Sequence, residues 1–224
     1  MSGCEGNLRP SPSVYATHLK RGFDVVIASA MLVLLLPVIA IVAVVVRFAL
    51  GSPVLFRQRR PGRFGLPFVM LKFRTMTEAL ESAGKLRPDA ERLTNVGKVL
   101  RRTSLDELPE LLNVLAGDMS LVGPRPLLIR YSEHFRGNEL LRFAVRPGIT
   151  GLAQVRGRND LTWDARIESD VQYVRQCSFI CDMKLLAVTA WRVFQTQGVQ
   201  VDPGAKMLDF DEERKRKYDV GATT

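Results

Sequence analysis

Residues 25–46 read VVIASAMLVLLLPVIAIVAVVV, an apolar run without a single charge. A helix rises ~1.5 Å per residue, so this run reaches roughly 30 Å, the thickness of a bilayer's hydrocarbon core. It predicts a membrane segment. A cleaved signal peptide fits less well, because the run is long for a signal and no small-residue cleavage site follows it. Pro37, in the middle, removes one backbone donor and clashes with the preceding turn, so a bend is expected there. Lys20 and Arg21 precede the run, while Arg47, Arg57, Arg59, Arg60 and Arg63 follow it, so both flanks carry charge that favours the cytoplasmic side. On the residues alone two arrangements stay open. One is an ordinary single-pass helix that tolerates its proline. The other is a helix broken near Pro37 that dips into one leaflet and returns, with protein partners for the freed backbone groups.

Beyond the run, PVLFRQ and PFVMLKFR mix apolar and basic positions and are separated by turn signals at Pro61, Gly62 and Gly65. This pattern predicts a cationic β-hairpin in which Phe56, Phe68 and Phe73 pack while arginines project outward. Residues 57–74 hold six basic side chains and no acid. They form either a patch for anionic lipid, at about 1 kcal/mol per basic residue near the surface, or a phosphate-binding wall with Lys72 and Arg74 inside a site. Residues 78–92 are polar, with Gly84 and Pro88, and read as a helix followed by a surface loop. In TSLDELPELLNVLAG, residues 103–117, Leu105, Leu108, Leu111, Leu112 and Leu115 recur at helical spacing and Gly117 ends the pattern. Ser104 is the expected N-cap, with Glu107 three residues on as in a capping box, and Pro109 is tolerated in the first turns. Residues 163–194 again look helical, with Trp163, Ile167, Asp170, Tyr173 and Val174 alternating between apolar and polar faces. Trp191 suits either a headgroup layer or a core helix. In the tail, Glu212 with Arg216 and Glu213 with Lys217 stand at i, i+4 spacing, as on a solvated helix.

Composition changes the picture in two respects. With 224 residues and 46% hydrophobic content, the chain can bury a real core, which excludes a disordered protein. Its 32 Lys and Arg against 23 Asp and Glu give a net charge of +9, which implies anionic partners: nucleic acid, lipid headgroups or phosphorylated small molecules. Three cysteines and two histidines leave little room for a disulfide framework or a zinc site. Cys177 and Cys181, four apart, are expected on one helix face as reduced packing residues.

The candidate chemistry lies at Asp106 and Glu107. Both fall at a predicted helix start, where free N–H groups and the positive dipole end favour negative charge. As a local feature they are helix-start acids. Their surroundings, with Arg101 and Arg102 just before and Arg125 in the rigid GPRP turn after, suit an anionic substrate bridged by a divalent metal. An adjacent pair also permits one carboxylate to attack phosphorus while the other manages protons.

Five motifs occur in order: KRGFD (20–24), FRQRRPG (56–62), KFRTM (72–76), RRTSLDELPELLNVLAGDMSLVGPRP (101–126) and RPGITGLAQVRGR (146–158). Together they resemble the bacterial sugar transferase family of monotopic, small polyprenyl-phosphate phosphoglycosyltransferases, over residues 18–200. The resemblance implies a mixed α/β, mainly helical fold. In it a membrane re-entrant helix-break-helix and interfacial amphipathic helices surround a small cytoplasmic catalytic domain with a short β-hairpin. Residues 1–19 are then an N-terminal extension, 20–50 the re-entrant helix, 51–200 the catalytic domain and 201–224 a C-terminal tail, the minimal form of the family. In that family the Asp of an Asp-Glu dyad attacks the β-phosphate of a UDP-sugar, releasing UMP and leaving a covalent phosphoglycosyl enzyme. Polyprenyl phosphate then discharges it, which starts glycoconjugate or exopolysaccharide assembly.

Carried onto this chain, the resemblance makes Asp106 the nucleophile and Mg²⁺ ligand, Glu107 the acid/base partner or a supporting carboxylate, and Arg125 a phosphate contact. Arg101, Lys72 and Arg74 fall in matching motifs, and their phosphate-binding roles follow from charge. The expected partners are a UDP-sugar, polyprenyl (undecaprenyl) phosphate and the phospholipid membrane, with no nucleic acid; a homo-oligomer is left open. The expected location is the bacterial cytoplasmic membrane, with the site on its cytoplasmic face. One departure concerns the membrane break: small members often carry Ser before the central proline, whereas Leu36 stands here and cannot repair freed backbone groups. RPGITGLAQVRGR serves either as a basic loop near the donor nucleotide or as a structural loop set by its glycines. The competing classes are a membrane-anchored nucleic-acid binder and a scaffold. The first lacks basic residues interleaved with exposed aromatics, and the second gives no reason for an acidic pair among arginines.

Overall fold

The computed structural model describes residues 15, 19–80, 87–157, 161–195 and 209–221. Most of the expected N-terminal extension, Gly84, Arg158 and the start of the C-terminal tail lie outside the described residues. The fold is mainly helical with two small sheets.

The apolar run forms one helix, α1 (Lys20–Leu50), with Pro37 inside it and no unwound segment dividing it. Segments near both of its ends pack against the same protein body. Near the start, Lys20 Nζ lies 2.5 Å from Asp182 Oδ2, and Asp24 Oδ1 accepts from the Leu121 N–H at 3.2 Å. Arg21 donates to the carbonyls of Val114 and Leu115 in the last turn of a helix. Near the other end, Val42 and Val46 are buried in a cluster with Phe73 and Leu100. The middle is bare: Val33 is 77% exposed and Leu34 78%.

Strands β1 (Leu55–Pro61) and β2 (Pro67–Phe73) form the expected antiparallel hairpin, with Leu55 opposite Phe73 and Pro61 opposite Pro67. Period-two alternation puts Phe68, Met70 and Lys72 on one face, and the next position in phase is Arg74. Phe68 and Phe73 are buried as expected. Phe56 is not: it sits opposite Lys72 rather than over the apolar core and is 43% exposed. After the single turn α2 (Asp89–Arg92), helix α3 (Asn95–Arg102) starts where the Thr94 hydroxyl accepts from the Gly97 N–H at 3.0 Å. Gly97 lets α3 lie directly on the strand exit, since a Cβ there would stand 2.0 Å from the Thr75 carbonyl oxygen.

Helix α4 (Glu110–Ala116) ends at Gly117, which adopts φ 93° as the left-handed C-cap that the sequence predicts. Strand β3 (Ser120–Val122) pairs in parallel with β4 (Gly148–Thr150), and two 3₁₀ segments, Ile129–His134 and Gly137–Phe143, lie between them. Helix α5 (Leu152–Arg156) follows. The helical stretch expected over residues 163–194 is two helices, α6 (Trp163–Gln176) and α7 (Phe179–Gln195). The chain turns at Cys177 and Ser178 because Asp182, fully buried, is gathered by Lys20, Tyr15 and Tyr173. Cys177 and Cys181 are reduced thiols packed in or against the main core, as expected, but they flank this turn instead of sharing one helix face. Helix α8 (Phe210–Gly221) docks through Phe210, which is packed among Tyr131, Phe135 and Trp163.

Candidate active site

Asp106 and Glu107 sit in a 3₁₀ turn, Leu105–Glu107, between α3 and α4. The helix start predicted there is displaced. Ser104 takes a left-handed conformation (φ 57°) and its side chain caps nothing, and the α-helical turns begin after Pro109. The capping box fails because Glu107 has stronger partners than a backbone N–H: its Oε1 accepts from Lys72 Nζ at 2.6 Å and from Arg125 Nη2 at 2.8 Å. Strained, non-glycine backbone of this kind is characteristic of functional positions.

Each cation reaches the site by a local device. Lys72 and Arg74 come from strand alternation. Arg101, in the last turn of α3, donates from Nε to Thr75 Oγ1 at 3.1 Å. Arg125 belongs to the GPRP turn leaving β3, where the Gly123 N–H donates to the Thr150 carbonyl and the Gly148 N–H to the Pro124 carbonyl. A Cβ on Gly148 would stand 2.1 Å from the Gly123 nitrogen, so only glycine permits this crossing. Arg142 fixes the turn from behind, donating to the Arg125 carbonyl at 2.8 Å while paired with Asp170 at 2.9 Å. Lys72, Arg74, Arg101, Asp106, Glu107 and Arg125 line one cleft of about 820 Å³. Pro37 lies apart from it, in the exposed middle of α1.

The two carboxylates are set differently. Asp106 is 8% exposed, and among the described residues no hydrogen bond reaches it. Burial, and then the Glu107 charge, push its carboxyl up to about 6 against the pull of Lys72, Arg101 and Arg125. Burial would also raise Glu107, but the charges and hydrogen bonds of Arg125 and Lys72 outweigh it and hold that carboxyl well below the usual range. Lys72 is shared with a third acid, Glu110, at 3.0 Å. Burial pushes Glu110 up to about 7. Burial also works against the Lys72 ammonium, but Glu107 and the other nearby carboxylates outweigh it and raise its pKa.

Sequence reasoning missed Glu110, Thr75 and the Arg142–Asp170 pair as parts of the site. Glu110 had a readable signal, since it stands three residues after Glu107 on the same helical side. Arg142 stands alone in the apolar stretch LLRFAV, which marks a buried guanidinium needing a carboxylate. Among the described residues no group of three or more His, Cys, Asp or Glu side chains could cage a metal ion. A single unbonded carboxylate, Asp106, still fits a cation of the Mg²⁺ type, which takes one or two protein carboxylates and completes its shell from substrate phosphates and water.

Asp106 is thus a buried carboxylate without a hydrogen-bond partner in a cleft lined by cations, and its neighbour is locked in ion pairs. The chain belongs to the bacterial sugar transferase family, whose model matches residues 15–196. It is 48% identical over 182 residues to the uncharacterised sugar transferase EpsL of Bacillus subtilis, covering 81% of this chain and 90% of that protein. It is 39% identical over 196 residues to the exopolysaccharide production protein ExoY of Rhizobium meliloti, covering 80% of this chain and 87% of the relative. It is 41% identical over 186 residues to the UDP-glucose:undecaprenyl-phosphate glucose-1-phosphate transferase of Escherichia coli, covering 79% of this chain and 40% of that longer protein.

Proposed function

We propose that the chain transfers a phosphosugar from a UDP-sugar to polyprenyl phosphate, giving polyprenyl-diphosphate-sugar and UMP, as the initiating step of exopolysaccharide or glycoconjugate synthesis. The observation that carries this reading is the Asp106 carboxylate, buried and unbonded, in a cleft with Lys72, Arg74, Arg101 and Arg125. The activities for which relatives are named, a glucose-1-phosphate transfer from UDP-glucose to undecaprenyl phosphate and a UDP-galactose-lipid carrier transferase, support it.

In the first half-reaction an Asp106 oxygen attacks the β-phosphorus. The bond from that phosphorus to the bridging oxygen breaks, and UMP leaves with the electron pair. In the second, a polyprenyl phosphate oxygen attacks the same phosphorus, the bond to Asp106 breaks and the carboxylate is restored. Lys72 and Arg125, held in place by Glu107, offset charge on the phosphoryl oxygens as it develops. Glu107, ionised and doubly paired, acts as a supporting carboxylate that orients the two cations. Mg²⁺ would be held by Asp106 and would supply further charge neutralisation at the diphosphate.

The reading places the chain at the bacterial cytoplasmic membrane as a re-entrant, monotopic protein with its site on the cytoplasmic face. What supports re-entry is that residues 20–28 and 42–46 of α1 are anchored in one protein body while the apolar middle is bare. A helix with a bilayer between its ends could not achieve this. Proline at position 37 frees the Val33 carbonyl, at the middle of the bare segment.

The test is incubation of detergent-solubilised protein with Mg²⁺ and a panel of UDP-sugars, following UMP release and intact mass. Wild type is expected to release UMP and gain a phosphosugar adduct, and Asp106→Asn to do neither. An adduct persisting in Asp106→Asn would remove Asp106 as nucleophile; no UMP from any sugar would remove the reading.

A further inference from the structure

Among the described residues the fully buried cations are neutralised, whereas Arg60, half-buried beside the site, is not. Lys20 has Asp182, Arg142 has Asp170, and Arg214 has Glu139 and Asp164. Arg60, on β1, has no carboxylate within ion-pair distance among the described residues. Its Nη2 donates to Gln58 Oε1 at 2.6 Å, and its Nε is buried without a partner. Gln58 and Arg60 stand two apart on the strand and face the cleft together, whereas Arg57 and Arg59 are exposed.

Arg60 also lines a side cavity of about 90 Å³, shared with Met70, Lys72, Glu110, Arg125, Pro126 and Leu127. Three cations meet there. Two of them, Lys72 and Arg125, are already committed to Glu107, and Lys72 to Glu110 as well. The Arg60 charge is left over. Burial, then the neighbouring Arg125 guanidinium, lower it to about 10. A half-buried guanidinium that lines a cavity beside another cation and has no carboxylate partner suits an anion: planar, multidentate donors of this kind match phosphoryl oxygens.

We propose that Arg60, oriented by Gln58, seats a second phosphoryl group, separate from the one that faces Asp106. This rests on the phosphosugar-transfer reading, which brings two phosphorylated substrates to one cleft. The ligand chemistry is a phosphate ester. Its source is either the phosphate monoester of the lipid acceptor or the nucleotide-side phosphate of the donor, and the half-reactions separate them.

The probe is inorganic phosphate, titrated calorimetrically into detergent-solubilised wild type, Arg60→Gln and the exposed control Arg57→Gln. Arg60→Gln is expected to bind at least tenfold more weakly, with Arg57→Gln unchanged and Arg60→Lys partly restored. Gln58→Leu, which leaves the guanidinium in place but unoriented, is expected to weaken binding too and serves if Arg60→Gln does not fold. Single-turnover assays then assign the source. Slowed discharge of a preformed adduct, with a raised KM for polyprenyl phosphate, assigns the lipid; slowed adduct formation with normal discharge assigns the donor. Phosphate affinity and both half-reactions matching wild type in Arg60→Gln would overturn the proposal. Wild type that binds phosphate through Arg60 yet releases no UMP would instead sink the transfer reading and leave the anion seat standing.

Discussion

Asp106 and Glu107 are neighbours in the chain but live in opposite charge environments, and the difference sets a pH dependence. In the proposed reaction attack would require the Asp106 carboxylate, whose pKa is raised from 3.8 to about 6. Adduct formation should therefore fall about tenfold per pH unit below pH 6, instead of persisting to pH 4. Single-turnover UMP release between pH 5 and 8 measures this, and a rate still flat at pH 5 contradicts it. Glu107 contributes to that rise, so Glu107→Gln should move the midpoint to lower pH, while loss of the charged partner of Arg125 and Lys72 costs about 1–3 kcal/mol of stability. Glu110 gives a stability test. Its folded pKa is raised from 4.5 to about 7. The stability it contributes is full below about pH 4.5 and is lost as pH rises through 7. Glu110→Gln cannot ionise, so its Tm relative to wild type should rise between pH 5.5 and pH 8.5; a constant difference would contradict this.

The hairpin was legible because its information is local: alternation puts Lys72 and Arg74 in phase and the turn residues fix the register. The 3₁₀ turn was not. The spacing of Ser104 and Glu107 is that of a capping box, and only the arrival of Lys72, 35 residues earlier, and Arg125, 18 residues later, diverts Glu107 from the backbone. The turn between α6 and α7 was hidden for a similar reason. No Gly or Pro marks residues 177–178, and the turn is dictated by the long-range partners of Asp182. Where one atom decides how elements meet, a substitution reads it out. Gly97→Ala would drive a Cβ to 2.0 Å from the Thr75 oxygen, pushing α3 off the strand exit and carrying Arg101 with it. The expected cost is about 1–3 kcal/mol, measured by chemical denaturation, together with a raised KM for the UDP-sugar. Unchanged stability would show that α3 can shift without strain.

At the scale of the molecule, two long-range attachments shape the chain. Helix α8 lies beyond the family-matched residues, yet its Phe210 is fully buried against Trp163, a cleft residue. Phe210→Ala should cost about 3–5 kcal/mol and lower Tm, an outcome that a loosely tethered tail would not give. The other attachment is α1. Its length, 31 residues at ~1.5 Å each, would cross a bilayer with turns to spare. The sequence displays that length and the basic flanks, but not the burial of Val42 and Val46 against Phe73 and Leu100, which ties the far end of the helix back to the body that holds Lys20 and Asp24. Separating those ends across a membrane would expose both apolar contacts and strand the buried Lys20–Asp182 pair. Single cysteines introduced at exposed flanking positions, Leu19→Cys and Ser52→Cys, in a background lacking the native cysteines should therefore both react with an impermeant maleimide in inverted membrane vesicles. Neither should react in intact cells. Labelling of the two positions from opposite sides would establish a spanning helix and end the re-entrant reading.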